Sequence, residues 1–241
     1  MALASIDGDL IAHMSASVGE QRYIEAELPD GTSEIFDNRT ALKEYCKITD
    51  MDYKQCKIED QQFPEPIENV LHTARMMVET WTSKARCDDF EVYVGFGDCF
   101  RHEMPLPEKY KGNRENSMKA FHVDAVKEWL LDKPFGRLAT DNLESDDWLS
   151  IRQYEGFQKW KKTKDDADII VACTRDKDAL SQTGWLLNPD NMERPKLVRG
   201  LGYTVANKRG TQWTIKGYGT KFLMAQMLTS DPVDNLSPSR S

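Results

Sequence analysis

The chain has 241 residues, 39% apolar and 30% charged, with a formal net charge of −8, which is room for one large or two small domains with a core and a very wet surface. Mean hydropathy is −0.64, no apolar run approaches the roughly 20 residues of a membrane span, and the opening M-A-L-A-S-I-D-G-D lacks the basic region and long apolar stretch of a secretory signal, so a soluble protein is expected. Five cysteines, an odd number without a C-x-x-C pair, rule out a complete disulfide framework and fit reduced thiols in a cytosol; the four histidines have no zinc-ligand spacing.

Residues 3–14 open with a short apolar strand ending in Asp7; Gly8 permits a tight turn, and a helix follows from Asp9. An acid at the carboxyl end of a strand sits where metals and phosphates bind in open α/β sheets, although Asp7 and Asp9 would also serve as helix caps. Residues 22–36 alternate around P-D-G and predict an exposed β-hairpin. A short helix over 40–46 and a polar connection carry no visible chemistry. A helix then starts near P-E-P-I, with Val70, Leu71, Ala74, Met77, Val78 and Trp81 at core-facing spacing.

F-E-V-Y-V-G-F at 90–96 predicts a second strand, ending at Gly97 and Asp98. The loop after it turns Pro-rich and then basic, with Lys109, Lys111 and Arg114 around Tyr110. Such residues stack on bases and pair with phosphates, or form an ordinary basic loop. A helix over 121–131 is stopped by Pro134. Glu144, Asp146 and Asp147 open a further helix. Acids favour a first turn, but three in four positions repel one another unless a cation is present.

Ile169 to Cys173 is an apolar run too short for a helix and reads as a buried parallel strand, followed at once by Asp176 and Asp178. Val198–Val205 and Thr211–Ile215 predict a small ribbon carrying Lys208 and Arg209, expected as nucleic-acid contacts; from 186 to 230 seven Lys/Arg face two acids. A helix over 220–228 precedes Asp231 and Asp234, and a polar tail at 235–241 is expected to be disordered.

Acids thus recur at five places, three of them just past a short apolar strand. In a parallel sheet those strand ends point one way, so the carboxylates converge. Two or three Mg²⁺ or Mn²⁺ ions would compensate them, since hard oxygen ligands suit both. Two such ions activate a water and stabilise a leaving oxygen in phosphodiester cleavage.

In order, S-I-D-G-D, G-D-C-F-R with Y-K-G-N-R, L-E-S-D-D, T-R-D-K-D-A-L and S-D-P-V-D-N-L resemble the motif series of the bacteriophage 5′→3′ exonuclease/flap endonuclease family, related to the 5′-nuclease domain of bacterial DNA polymerase I. The resemblance spans nearly the whole chain. It implies an α/β fold with a mostly parallel central sheet flanked by helices, a PIN-like core of residues 1–234. To that core it adds a hairpin-containing insertion at 15–62, a basic arch at 99–120 and a basic ribbon and helix at 186–230.

Asp7, Asp98, Glu144, Asp146, Asp176, Asp178, Asp231 and Asp234 would hold metals, with Asp147 as a ligand or supporting residue. Lys111 and Arg114 would contact the scissile phosphate and be catalytic. Tyr110 would stack near the cleaved nucleotide, and Arg101 would be a further phosphate contact. The expected activity is metal-dependent 5′→3′ exonuclease or structure-specific endonuclease cleavage of DNA, or of RNA in hybrids, during phage DNA replication or degradation. The expected partner is DNA with a free 5′ end, nick or flap, met by a monomer in the cytoplasm of an infected bacterium, with no membrane association.

The family continues past its D-N with a Gly-rich helix–three-turn–helix. Here D-N-L-S-P-S-R-S follows, so an incomplete C-terminal DNA-binding element and weak duplex binding are expected. Two rivals remain. A haloacid-dehalogenase-type phosphatase would use Asp7 as nucleophile and Asp9 as acid, but leaves Glu144–Asp147 and Y-K-G-N-R unexplained. A truncated, non-catalytic DNA-binding accessory protein is the other.

Overall fold

Strand β1 (Leu3–Asp7) is buried from Ala4 to Asp7, because it lies mid-sheet and is covered on both faces. The computed structural model describes residues 2–96, 99–105, 109–112, 118–209 and 212–229. After β1 come helix α1 (Gly8–Val18), strands β2 (Glu20–Glu27) and β3 (Ser33–Phe36), helix α2 (Arg39–Ile48), strand β4 (Lys57–Pro64), helix α3 (Ile67–Ala85) and strand β5 (Asp89–Val94). Then follow α4 (Val123–Leu131), β6 (Gly136–Leu138), α5 (Ser145–Thr163), β7 (Ile170–Cys173), β8 (Gly184–Leu187), β9 (Lys196–Val198), the ribbon strands β10 (Tyr203–Arg209) and β11 (Gln212–Tyr218), and α6 (Thr220–Leu228).

The central sheet runs β6-β5-β1-β7-β8-β9. All its pairings are parallel except β8 with β9. The α/β class with a mostly parallel sheet is as expected. Helices α1, α3 and α4 share one core with Ala4, Ile6, Val92, Val94, Val171 and Cys173. The stripe Val70, Ala74, Val78, Trp81 is buried there as its spacing requires. Each fully buried Val, Leu or Ile of this layer contributes about 1.5–3 kcal/mol. Side chains alternate along a strand, so Ser5 and Asp7 share the opposite face of β1, the side on which α5 packs.

Gly8 is needed for space rather than for a turn. It is the first residue of α1, and a Cβ there would lie 2.6 Å from the Tyr93 carbonyl oxygen and 2.7 Å from Val94 Cγ2. The bare backbone lets α1 start tight against β5, which brings Asp7 and Asp9 up to the sheet's carboxyl edge.

The hairpin around P-D-G is present, but as part of a three-stranded antiparallel sheet, β3-β2-β4. Strand β4 replaces the polar connection expected before α3. Its sequence K-I-E-D-Q-Q-F-P has almost no apolar face. It is held by pairing with β2 from Glu20↔Pro64 to Glu27↔Lys57, and Ile58 alone packs on the small core of Ile24, Ala26, Leu28, Leu42 and Cys46. The ribbon begins at Tyr203, because Val198 belongs to β9 and pairs with Gly184 in the main sheet. Helix α6 covers residues 220–228 as expected. Among the described residues no helix is long and apolar enough to cross a membrane.

Candidate metal centre

The carboxyl ends of β1 and β7 and the first turn of α5 meet at a cavity of about 530 Å³. Asp7, Asp9, Glu144, Asp146 and Asp176 line it together with Lys111. Adjacent strands in parallel register explain Asp7 and Asp176, since Ile6 pairs with Cys173 and both chains leave the sheet on the same side. Helix α5 points its N-terminus at the same place, a location that favours anions through the helix dipole.

Asp7 caps α1. It accepts from the Leu10 amide at 3.0 Å and from the Thr174 hydroxyl at 2.9 Å. The helix-cap reading and the site reading therefore hold for one residue. Burial raises its pKa to about 6; the Asp9 and Asp176 charges add to this, while the Leu10 and Thr174 hydrogen bonds oppose it. Asp146 is pushed further. Burial, then the charges of Asp147, Glu144 and Asp176, raise it to about 7. Among the described residues no basic side chain pairs with it.

Its neighbours are compensated. Glu144 accepts from Lys111 Nζ at 2.7 Å, the Tyr110 hydroxyl at 2.8 Å and Arg101 at 3.1 Å. Burial raises the Glu144 carboxyl, but these three donors outweigh it and hold the pKa below the usual range. Asp147 takes both guanidinium nitrogens of Arg101, at 2.7 and 2.8 Å, and the Glu144 amide at 3.0 Å. Its carboxyl is likewise depressed, since the Arg101 contacts overcome burial. Oxygens of Glu144, Asp146 and Asp147 all lie within 4.8 Å of one another. Lys111 holds a left-handed backbone, φ 54°, a conformation that costs an ordinary residue energy and clusters at functional sites.

Asp176 caps the helical turn Lys177–Leu180 through the Asp178 amide at 2.9 Å while also lining the cavity. Asp178 instead meets the Gln226 side-chain amide of α6 and is not part of the cavity wall. Arg101 and Lys111, expected on phosphate, rest on Glu144 and Asp147. Tyr110, expected to stack on a nucleotide, is 4% exposed, with Lys111 and Arg101 over its ring at 4.9 and 5.9 Å and His102 at its edge. Lys208 is exposed on the ribbon, 5.8 Å from the Trp213 ring centre; it does not line the cavity. Asp98, Arg114, Asp231 and Asp234 lie outside the described residues, as does the Arg209 side chain.

Two residues of the site have no metal or phosphate role in the nuclease reading of the sequence. Asp9 accepts from the Gly95 amide at 2.9 Å, the Ser145 hydroxyl at 3.0 Å and Lys127 Nζ at 2.9 Å. Lys127, 8% exposed, also donates to the Gly95 carbonyl at 2.8 Å. A lysine among the buried positions Val123, Val126 and Leu130 of α4 was the available signal, because lysine is rarely buried without a partner. Asp9, Lys111 and Glu144 also separate this cavity from a neighbouring one of about 490 Å³. No protein-family model, curated protein or solved structure matches the chain.

The donor set fits a hard divalent cation. It consists of carboxylate oxygens from three separate elements, and among the described residues no basic side chain pairs with Asp146. Glu144, Asp146 and Asp147, whose oxygens lie within 4.8 Å of one another, would hold such an ion, with Asp7 and Asp176 on the same cavity wall.

Proposed function

We propose that the chain is a metal-dependent hydrolase of nucleic-acid phosphodiester bonds, a 5′→3′ exonuclease or flap endonuclease with a PIN-like core. Its substrate is DNA with a free 5′ end, nick or flap. The observation that carries this reading is the convergence of Asp7, Asp146 and Asp176 on one cavity whose wall also holds Lys111. Two or three Mg²⁺ or Mn²⁺ ions, when bound, supply an activated water and stabilise the leaving oxygen. The protein's part is to hold the carboxylates in place and to orient the phosphate.

Arg101 keeps Asp147 fixed against the Glu144 amide and so sets the first turn of α5. Lys111 neutralises Glu144 in the metal-free molecule. Glu144 would help to hold the cation, and Lys111, on the wall of the same cavity, would pair with the scissile phosphate. Asp9 and Lys127 fix the starts of α1 and α5 to the end of β5.

The test is a purified sample with Mg²⁺ and a 5′-labelled flap or nicked duplex. Release of short 5′ products that chelator abolishes, and that Asp176→Ala abolishes without loss of fold, is the expected result. Binding of branched DNA without any cutting would replace this reading with that of a non-catalytic accessory protein.

A further inference from the structure

The inserted sheet β3-β2-β4 does not line the cavity, yet its root is wired to the segment that returns from the basic loop. Glu20, the first residue of β2, has a side chain only 2% exposed. A carboxylate there is costly unless its oxygens are bonded. It accepts from Arg22 Nε, from Gln62 Nε2 at 2.6 Å and from the backbone amide of Phe121 at 2.9 Å. Gln62 Nε2 also donates to the Lys119 carbonyl at 3.0 Å. The His122 ring meets the Glu65 carbonyl at 2.8 Å. Three contacts, at Lys119, Phe121 and His122, thus tie residues 119–122 to the insertion and the residue that follows it.

Helix α4 starts at Val123, directly after those contacts, and its Lys127 grips Asp9 and the Gly95 carbonyl. On the other limb, the turn closed by the Gly112 amide on the Lys109 carbonyl, at 3.0 Å, sets Tyr110 and Lys111 on Glu144. The basic loop is therefore held at one point by the insertion and at the other by the acid cluster.

We propose that Glu20 is a positioning residue, and that the inserted sheet serves to fix the returning limb of the basic loop and the start of α4, setting where Lys111 stands over the cavity and where Lys127 meets Asp9. The kinetic consequence rests on the nuclease reading; the mechanical one does not. A loosened limb places Lys111 poorly for an incoming phosphate but leaves the carboxylates of β1, β7 and α5 where they are. Substrate capture should suffer more than the chemical step.

The test combines amide hydrogen exchange with steady-state kinetics on nicked or flapped DNA. Glu20→Ala should speed exchange in peptides covering 109–112 and 118–127 while β1, α3 and α5 exchange as in wild type. It should raise KM on the order of 10-fold with kcat nearly unchanged. Glu20→Gln keeps an acceptor for the Phe121 amide and should recover most of both. Arg39→Ala breaks an exposed ion pair of the same sheet with Asp60 and should change neither. If Glu20→Ala does not fold, Gln62→Ala, which frees the Lys119 carbonyl, must show the same signature. Wild-type exchange at 109–127 in the folded variant, or an Arg39→Ala response equal to that of Glu20→Ala, overturns the proposal. Exchange that responds as expected in a protein that cuts no DNA supports the anchor and removes the nuclease reading instead.

Discussion

Two regions of this molecule are rich in acid, and they treat it in opposite ways. Residues 20–65, the inserted sheet with α2, hold twelve acids against six bases. Apart from Glu20, which is buried at the root of the sheet with three partners, these acids are bonded one partner at a time, as Asp60 is to Arg39. The Arg39 hydrogen bonds lower the Asp60 carboxyl, and those of Thr32 lower Asp30. The cavity at the ends of β1 and β7 has fewer acids, yet burial and mutual repulsion raise Asp7 to about 6 and Asp146 to about 7. The number of carboxylates does not make a cation site. Desolvation, with more carboxylates than cations to answer them, does.

The strongest way to break this contrast is Asp146→Asn. Metal-dependent cleavage of a labelled flap should fall on the order of 10³-fold, the scale of losing a transition-state charge contact. The metal-free variant should nonetheless melt above wild type at about pH 8, since a repelled charge is gone. A melting temperature below wild type would show that Asp146 is not strained by its neighbours.

Gly8→Ala tests the placement of the site by the sheet. Its new methyl meets the Tyr93 carbonyl and Val94, and overpacking of this kind costs about 1–3 kcal/mol in chemical denaturation. An unchanged midpoint would mean that α1 can move away freely.

A pH series sharpens the contrast further. With Asp7 and Asp146 raised from 3.8 to about 6 and about 7, the folded state binds more protons than the unfolded one between those values. Stability is therefore greatest below this window and falls as pH rises through it. Glu144 and Asp147 are depressed and contribute the opposite slope only at lower pH. Metal-free protein should melt at least about 5 °C lower near pH 8 than near pH 5. Saturating Mg²⁺ should erase most of the gap, because it binds the ionised form. The smallest effect belongs to the insertion. Arg39→Ala should change stability by only about 0.2–1 kcal/mol, as exposed pairs do.

Half of the sheet was legible, because β1, β5 and β7 are short apolar runs ended by polar residues; β6, β8 and β9, the other strands of the sheet, are three or four residues long and give too short a pattern to read. Strand β4 was not legible either, since K-I-E-D-Q-Q-F-P has one residue in a core and gets its strand geometry from β2. Asp7, Glu144, Asp146 and Asp176 could be read as a site from acids recurring after strands and at a helix start. Their sorting could not: Arg101 compensates Asp147 and Lys111 compensates Glu144, leaving Asp146 with no basic partner among the described residues, and this depends on contacts between residues 33 to 46 positions apart. Asp9 was visible as an acid, but its partner Lys127 is distant in sequence and hidden within an apolar stripe.

The most direct measurement is a Mn²⁺ titration at neutral pH, followed by the loss of the free-ion magnetic resonance signal, on wild type and Asp146→Asn. Saturable binding by wild type and its loss in the variant is the predicted result. Equal binding by both, or by neither, would contradict a metal centre at the ends of β1 and β7.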